Sequence, residues 1–157
     1  MMLIKKVLVL TDGSQNSRSS LRYAVEICRN FGASLHLLSV IEDMPSYINL
    51  EVGSEFMLSV QETVRSEVVQ CSGYCETSGI ACSGEIRHGV PYEEIIKYAK
   101  EIDADLIVMA THGHTGLSHI LLGSVAEKIV RYAPCPVLTT RVDKDDLDRP
   151  ESEACES

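Results

Sequence analysis

The sequence predicts an α/β fold in which an open five-stranded parallel sheet carries helices on both faces. Uninterrupted apolar runs at 7–10 and 106–110 are typical of parallel strands that are covered on both sides. Other segments repeat apolar residues at steps of three and four, as Leu21, Val25 and Cys28 do, which is typical of helices that bury one side. The two kinds of segment alternate along the chain, which favours parallel strands joined by right-handed crossovers.

The first half of the sequence begins with a strand, a helix and a second strand. The strands are predicted over residues 5–10 and 34–41, both rich in Leu, Val and Ile. The helix between them, 17–30, ends before Gly32, a residue suited to the left-handed position that follows a helix. Residues 42–49 are predicted to form a loop.

A long helix is predicted over residues 53–77, where apolar residues recur on one face. The members of this stripe are Phe56, Val60, Val64, Val68, Cys71 and Cys75. The chain has six cysteines, but a disulfide framework is typical of short secreted chains. Because free cysteine behaves as a small hydrophobe, its place on helical stripes favours reduced core thiols. Metal or redox chemistry at these cysteines is the less favoured alternative.

The next strand and helix are separated by a turn with a proline. The third strand, 80–88, has a weaker apolar alternation that suits the edge of a sheet. Pro91 can begin the helix over 92–101, because proline is tolerated in a first helical turn. The fourth strand is the apolar run 106–110.

The last helix and the last strand are separated by two prolines. Pro134 and Pro136 stop a helix that runs over 124–133, and the fifth strand then begins at Val137 and ends at Arg141. A terminal strand leaves an unpaired edge, which a second copy of the chain could extend.

Polar residues that follow the first strand favour a ligand site. In an open parallel sheet, ligands bind outside the carboxyl ends of the strands, where the strand order reverses. Asp12 is suited to contact a ribose hydroxyl or to help hold a metal that is bound to phosphates. It could equally cap the next helix or form an Asx turn, since Asp and Ser are preferred in both.

Glycines and a helix start follow the fourth strand. Gly113, Gly116 and Gly123 allow the backbone to bend closely around a ligand. A helix that begins at Ser124 presents unpaired N–H groups and the positive end of its dipole. This segment is therefore a candidate phosphate cradle.

The spacing of this segment resembles the ATP-binding signature of the universal stress protein family, Gly-x2-Gly-x9-Gly-Ser/Thr. The matching residues are Ala110-x2-Gly113-x9-Gly123-Ser124. The opening Val-Leu-Val-Leu-Thr-Asp-Gly-Ser, from Val7, and the run that follows Ser124 are similar to that family as well. Ala110 replaces the first glycine, and His114 stands where many members carry arginine, so the positive charge there is reduced. The resemblance spans residues 3 to 142.

The resemblance implies an adenine nucleotide alpha hydrolase-like sheet of order 3-2-1-4-5, which sets strands one and four side by side. It further implies that ATP binds between these strands with Mg or Mn, and that Asp12 reaches the metal through the phosphates. The family's nucleotide contacts correspond here to Asp12, Val40, Met109, Ala110, His112, Gly113, Gly123, Ser124 and Val125. It also implies a homodimer through the last strand and a nucleotide-responsive stress regulator.

Motifs of enzymes are missing from the sequence. There is no Gly-x4-Gly-Lys-Ser/Thr loop, no Gly-x-Gly-x2-Gly turn and no Gly-x-Ser-x-Gly elbow. We therefore predict no catalytic residue and at most a weak ATPase, with a slow nucleotide hydrolase as the less favoured alternative. His112, His114 and His119 form a cluster that could bind a transition metal, but ordinary polar loop residues are favoured. The main alternative is a dimeric interaction protein that binds no nucleotide.

Charge and hydropathy exclude other classes of function. The net charge of −9 disfavours a nucleic-acid surface, which needs a basic patch. No apolar run approaches the roughly 20 residues that span a bilayer. We thus expect a cytoplasmic protein without membrane partners. Residues 143–157 hold seven acidic and two basic side chains and few apolar ones, so we predict one domain over 1–142 and a disordered acidic tail.

Overall fold

Alternating strands and helices build the part of the chain that the structure describes. The computed structural model describes residues 3–43, 46–111 and 122–141, with residues 46–52 described by their backbone alone. The strands are β1 (Lys6–Leu10), β2 (Ser34–Glu42), β3 (Cys82–Gly89), β4 (Leu106–Ala110) and β5 (Val137–Thr140). The helices are α1 (Gln15–Phe31), α2 (Ser46–Thr77), α3 (Pro91–Glu101) and α4 (Ser124–Tyr132).

The five strands form one parallel sheet in the order β3-β2-β1-β4-β5, which confirms the predicted fold class. β1 lies at the centre, with Val7 beside Leu35 of β2 and beside Leu106 of β4. Asp105 ties the start of β4 to β1, because its carboxylate accepts N–H bonds from Lys5 and Lys6, each at 2.9 Å. These hydrogen bonds hold the pKa of the Asp105 carboxyl below its usual value.

Each face of the sheet supports its own hydrophobic cluster. Alternate residues of β1 point to opposite faces, so Val7 and Val9 pack with α1 and α2, whereas Leu8 packs with α3 and α4. All three side chains are completely buried. A strand that is covered on both faces must be apolar throughout, which is why the run at 7–10 is uninterrupted.

Helix α1 begins two residues earlier than predicted and ends where Gly32 requires. Ser14 caps its first turn, with its hydroxyl accepting the N–H of Ser17 at 3.2 Å. Gly32 follows the helix at φ 66°, and its N–H donates to the carbonyl of Cys28. Both ends are therefore formed by the residue types that helix ends prefer.

Helix α2 corrects one prediction and agrees with another. The predicted loop over 42–49 is wrong in part, because β2 continues to Glu42 and α2 begins at Ser46. Gly53, at φ 74° and ψ 159°, separates α2 into two helical segments, and the second of them is the helix predicted over 53–77. The apolar stripe is buried only in its second half: Cys75 is fully buried, whereas Phe56 remains 46% exposed.

Among the residues that the structure describes, no helix combines the length and the apolar character that a membrane span needs. Cys28, Cys71 and Cys75 are buried free thiols, as predicted for core cysteines.

Candidate functional site

A cleft of about 410 Å³ lies at the carboxyl ends of β1, β2 and β4. This volume is within the range of about 300–1,000 Å³ that is typical of small-molecule sites. The starts of α3 and α4 close its sides. From β1 the sheet extends through β2 to β3 on one side and through β4 to β5 on the other, so the cleft lies at the point where the strand order reverses.

The structure brings together the predicted site residues that it describes. The cleft is lined by Asp12, Val40, Met109, Ala110, Gly123, Ser124 and Val125. His112 and Gly113 lie outside the described residues, as do His114, Gly116 and His119. These residues therefore lie in one cleft, and a contact between each of them and a nucleotide stays a prediction.

Sequence reasoning missed several residues of the cleft. Thr11 and Thr111 directly follow β1 and β4, so the rule that placed Asp12 at the sheet's carboxyl edge could have found both. Pro91 and Ile95 reach the cleft from α3, and no local pattern signals that approach. The remaining lining residues are Leu10, Ser17, Leu38, Glu42 and Ala126.

The turn between β1 and α1 is held by hydrogen bonds of its own side chains. One carboxylate oxygen of Asp12 accepts the N–H of Ser14 at 2.9 Å, which is an Asx turn. The hydroxyls of Thr11 and Ser17 lie 3.4 Å apart and are buried. Asp12 itself is exposed, so the Asx turn positions its carboxylate at the mouth of the cleft. Asp12 can therefore form the Asx turn and contact a ligand at the same time.

The start of α4 is held by the backbone. The N–H of Gly123 donates to the carbonyl of Thr111 at 2.9 Å, and the N–H of Thr111 donates to Thr140 of β5 at 3.0 Å. The first intrahelical bond of α4 is the one from Glu127 to Gly123. No side chain among the described residues caps this helix, and the N–H groups of a first helical turn have no partner within the helix.

Gly123 is at a position of close approach. Its φ of −66° suits any residue, but a Cβ there would lie only 3.3 Å from the carbonyl oxygen of Thr111. A side chain at this position would push α4 away from β4 or fill the mouth of the cleft. The glycine therefore keeps the uncapped turn close to the strand.

The charged side chains that line the cleft within the described residues are both acidic. They are Asp12 and Glu42, and no lysine or arginine of the described residues lines it. A polyphosphate would thus meet the dipole of α4 and the first-turn N–H groups, with a bound cation needed to balance the remaining charge. The described residues hold no cluster of three or more metal-binding side chains.

The fold and the cleft define a doubly wound α/β protein with a cleft at its topological switch point. A family model described as the universal stress protein family matches residues 3–141. A universal stress protein of Methanocaldococcus jannaschii, MJ0531, is 37% identical over 145 residues, which cover 90% of this chain and 85% of that protein. The chain belongs to the universal stress protein family.

Solved structures show the same fold. The universal stress protein UspA from Lactobacillus plantarum superposes with a TM-score of 0.79 at 27% identity, over 88% of this chain and 98% of that one. A universal stress protein that was solved in complex with cAMP superposes with a TM-score of 0.69 at 21% identity, over 90% of this chain and 99% of that one. At that identity the second likeness supports the fold alone.

Proposed function

We propose that this universal stress protein binds ATP together with Mg or Mn in the cleft between β1 and β4, and acts as a nucleotide-responsive stress regulator. The observation that carries the proposal is the uncapped start of α4 opposite Asp12, in a cleft at the switch point of the sheet. A helix start of this kind binds anionic groups through its N–H groups and its dipole.

The phosphates would lie against the first turn of α4. Ser124 adds a hydroxyl to the N–H groups of this turn, and it is exposed. Gly123 leaves the approach to these groups open. Asp12 lies across the cleft and can hold a divalent cation on the phosphates, because hard cations prefer carboxylate and phosphate oxygens.

The adenine base would lie between β2 and α3. Leu38, Val40, Ile95 and Met109 provide an apolar wall there. The pairing of β2 with β1 ends at Leu10 and Leu38, whereas β2 continues to Glu42. The backbone at Val40 therefore extends past β1 and can pair with the edge of the base, which is how a main-chain contact would recognise adenine.

A regulator needs a difference between its free and bound forms that a partner can detect. ATP would supply it by changing the charge and the surface at the cleft mouth. Homodimerisation through β5 belongs to the same proposal, because β5 lies at the sheet edge and its Leu138 is 37% exposed. We place the dimer in the cytoplasm.

Calorimetric titration of the nucleotide-free protein with ATP tests the proposal. With Mg we expect a dissociation constant in the micromolar range, and with a chelator a loss of about 100-fold, because two carboxylates then face unbalanced phosphates. Gly123→Val should abolish the binding, since the side chain meets the carbonyl of Thr111. Gly73→Val is the matched control, because a Cβ at Gly73 meets nothing within 4 Å and Gly73 lies on α2.

A second candidate function is a dimeric interaction protein that binds no nucleotide. Ala110 and the acidic lining favour it, because a methyl group and two carboxylates both oppose a polyphosphate. Absence of heat with millimolar ATP and Mg, in a protein that sediments as a dimer, would support this candidate and reject the first. Equal binding by the Gly123→Val variant would reject the phosphate cradle at α4.

A further inference from the structure

A group of thiols lies at the opposite end of the sheet from the cleft. Cys82 begins β3 and Cys75 lies in the last turns of α2, with a short turn between them. Cys28 and Cys71 belong to the same hydrophobic cluster, against which Cys82 packs. Cys75 is completely buried, whereas Cys82 is partly exposed. Cys82 is therefore the least buried residue of the group.

Close packing of α2 on β3 brings two of these thiols together. Gly84 lies two residues after Cys82 and faces the same side of β3. A Cβ at Gly84 would lie 2.6 Å from Val68 and 3.1 Å from the hydroxyl of Ser72, so only glycine allows α2 this close. As a result the thiols of Cys75 and Cys82 lie within hydrogen-bonding reach of each other.

The hydrogen bonds make the two thiols unequal. The sulfur of Cys82 accepts hydrogen bonds from Cys75 and Ser72, which lower the pKa of Cys82, against the opposing effects of burial and the Glu76 carboxylate. Donating that bond, together with burial, raises the pKa of Cys75. Burial also raises the pKa of Cys28 to about 11. Since the thiolate is the nucleophile, these directions favour Cys82 over Cys75 and Cys28 as the more reactive thiol.

We propose that Cys82 and Cys75 form a peroxide-reactive thiol pair, in which Cys82 is oxidised first and Cys75 resolves it to a disulfide. The substrate class is hydroperoxides. This site is separate from the nucleotide cleft and does not depend on the function proposed for it. It turns the contact between α2 and β3 into a covalent link.

The chemistry balances in two steps. The Cys82 thiolate attacks the outer oxygen of the hydroperoxide, the O–O bond breaks, and the alkoxide or hydroxide that leaves takes up a proton. Cys82 is then a sulfenic acid. The Cys75 sulfur attacks the sulfur of Cys82, the S–O bond breaks, and the hydroxide leaves as water with the Cys75 proton. Two thiols lose two electrons in total, and the peroxide gains them.

Hydrogen peroxide is the probe for this pair. The reduced full-length protein is treated with it, remaining thiols are alkylated, and the chain is cut after glutamate. Glu67, Glu76 and Glu85 place Cys75 in peptide 68–76 and Cys82 in peptide 77–85. We expect these two peptides to be joined by a disulfide, with fragmentation locating it at Cys75 rather than Cys71. The Cys71→Ala variant, treated in the same way, should still form the disulfide between the two peptides.

Cys135 provides the matched control. It is partly exposed like Cys82, but burial and the Asp105 carboxylate raise its pKa. Cys82→Ser should abolish the link and Cys135→Ser should preserve it, and Cys82 should be alkylated roughly tenfold faster than Cys135 at neutral pH. Oxidation of Cys135 at an equal or higher rate, a link through Cys71, or a covalent dimer in place of the internal link would each overturn the proposal.

Discussion

Helices α1 and α4 begin at the same edge of the sheet, but their first turns are built differently. At α1, Ser14 accepts the N–H of Ser17 and Asp12 accepts the N–H of Ser14, so the turn is satisfied by its own side chains. At α4, the cap position is Gly123 and no side chain among the described residues reaches the first turn. The first turn of α1 is capped by the chain itself, whereas the first turn of α4 is, in our proposal, capped by the bound phosphates.

Because of this difference, we expect the start of α1 to contribute mainly to stability and the start of α4 mainly to ligand affinity. A capped helix start contributes to the folded state whether or not a ligand is present. The N–H groups of an uncapped start bond to water in the free protein and exchange that water for an anion on binding. Substitutions at α1 should therefore alter mainly the free energy of unfolding, and substitutions at α4 mainly the affinity for ATP.

Ser124→Asp should have the largest effect. A carboxylate in the first turn of α4 would satisfy the dipole internally and repel the phosphates, so the affinity for ATP should fall roughly tenfold, or about 1.4 kcal/mol. Calorimetric titration with ATP and Mg measures the change. Ser54→Asp is the control, because Ser54 is exposed and follows the break at Gly53 on α2. Equal affinities in both variants would show that α4 does not bind the phosphates.

Ser14→Ala should have the next largest effect, and on stability instead. It removes the cap of α1 and should lower the free energy of unfolding by about 1 kcal/mol, as the urea midpoint will show. The affinity for ATP should change by less than about threefold, because the N–H groups of α1 are satisfied within the chain. Ser54→Ala controls for the loss of a serine hydroxyl. A large loss of affinity without a loss of stability would contradict the comparison.

Ala110→Gly should have the smallest effect, and in the opposite direction. It restores the first glycine of the family's signature and removes a methyl group from the wall of the cleft between β4 and α4. We expect the affinity for ATP to rise a few-fold, or about 0.5–1 kcal/mol, in titrations under the same conditions. Unchanged affinity would mean that the methyl group does not contact the nucleotide.

The fold was largely predictable because its signals are local. The apolar run of Leu106–Ala110 in β4 and the apolar stripe of α1 can each be recognised from a few successive residues, and the structure confirms both. The loop predicted over 42–49 was wrong in part, because a helical segment from Ser46 precedes the glycine at which the predicted helix begins. The positive φ of Gly53 separates the two segments, and a glycine says nothing about the conformation of the residues before it.

The site was less predictable because its parts come from distant elements. Asp12 and Ser124 could each be proposed from a strand end and a helix start. Pro91 and Ile95 could not, because their place in the cleft depends on how α3 packs against the sheet. The pairing of Cys75 with Cys82 was likewise hidden, since it depends on the absence of a side chain at Gly84.

The sequence by itself determined which segments form strands and helices, where α1 ends, and which residues are candidates to bind an anion. Periodicity at steps of two, three and four acts within a few residues and needs no knowledge of the rest of the chain. The family resemblance, and not periodicity, implied that β1 and β4 are neighbours, and the structure confirms it. Only the tertiary structure decided that no side chain among the described residues caps α4, and that Cys82 is the least buried of the clustered cysteines. Those facts depend on contacts between residues far apart in sequence, which packing of the whole domain selects.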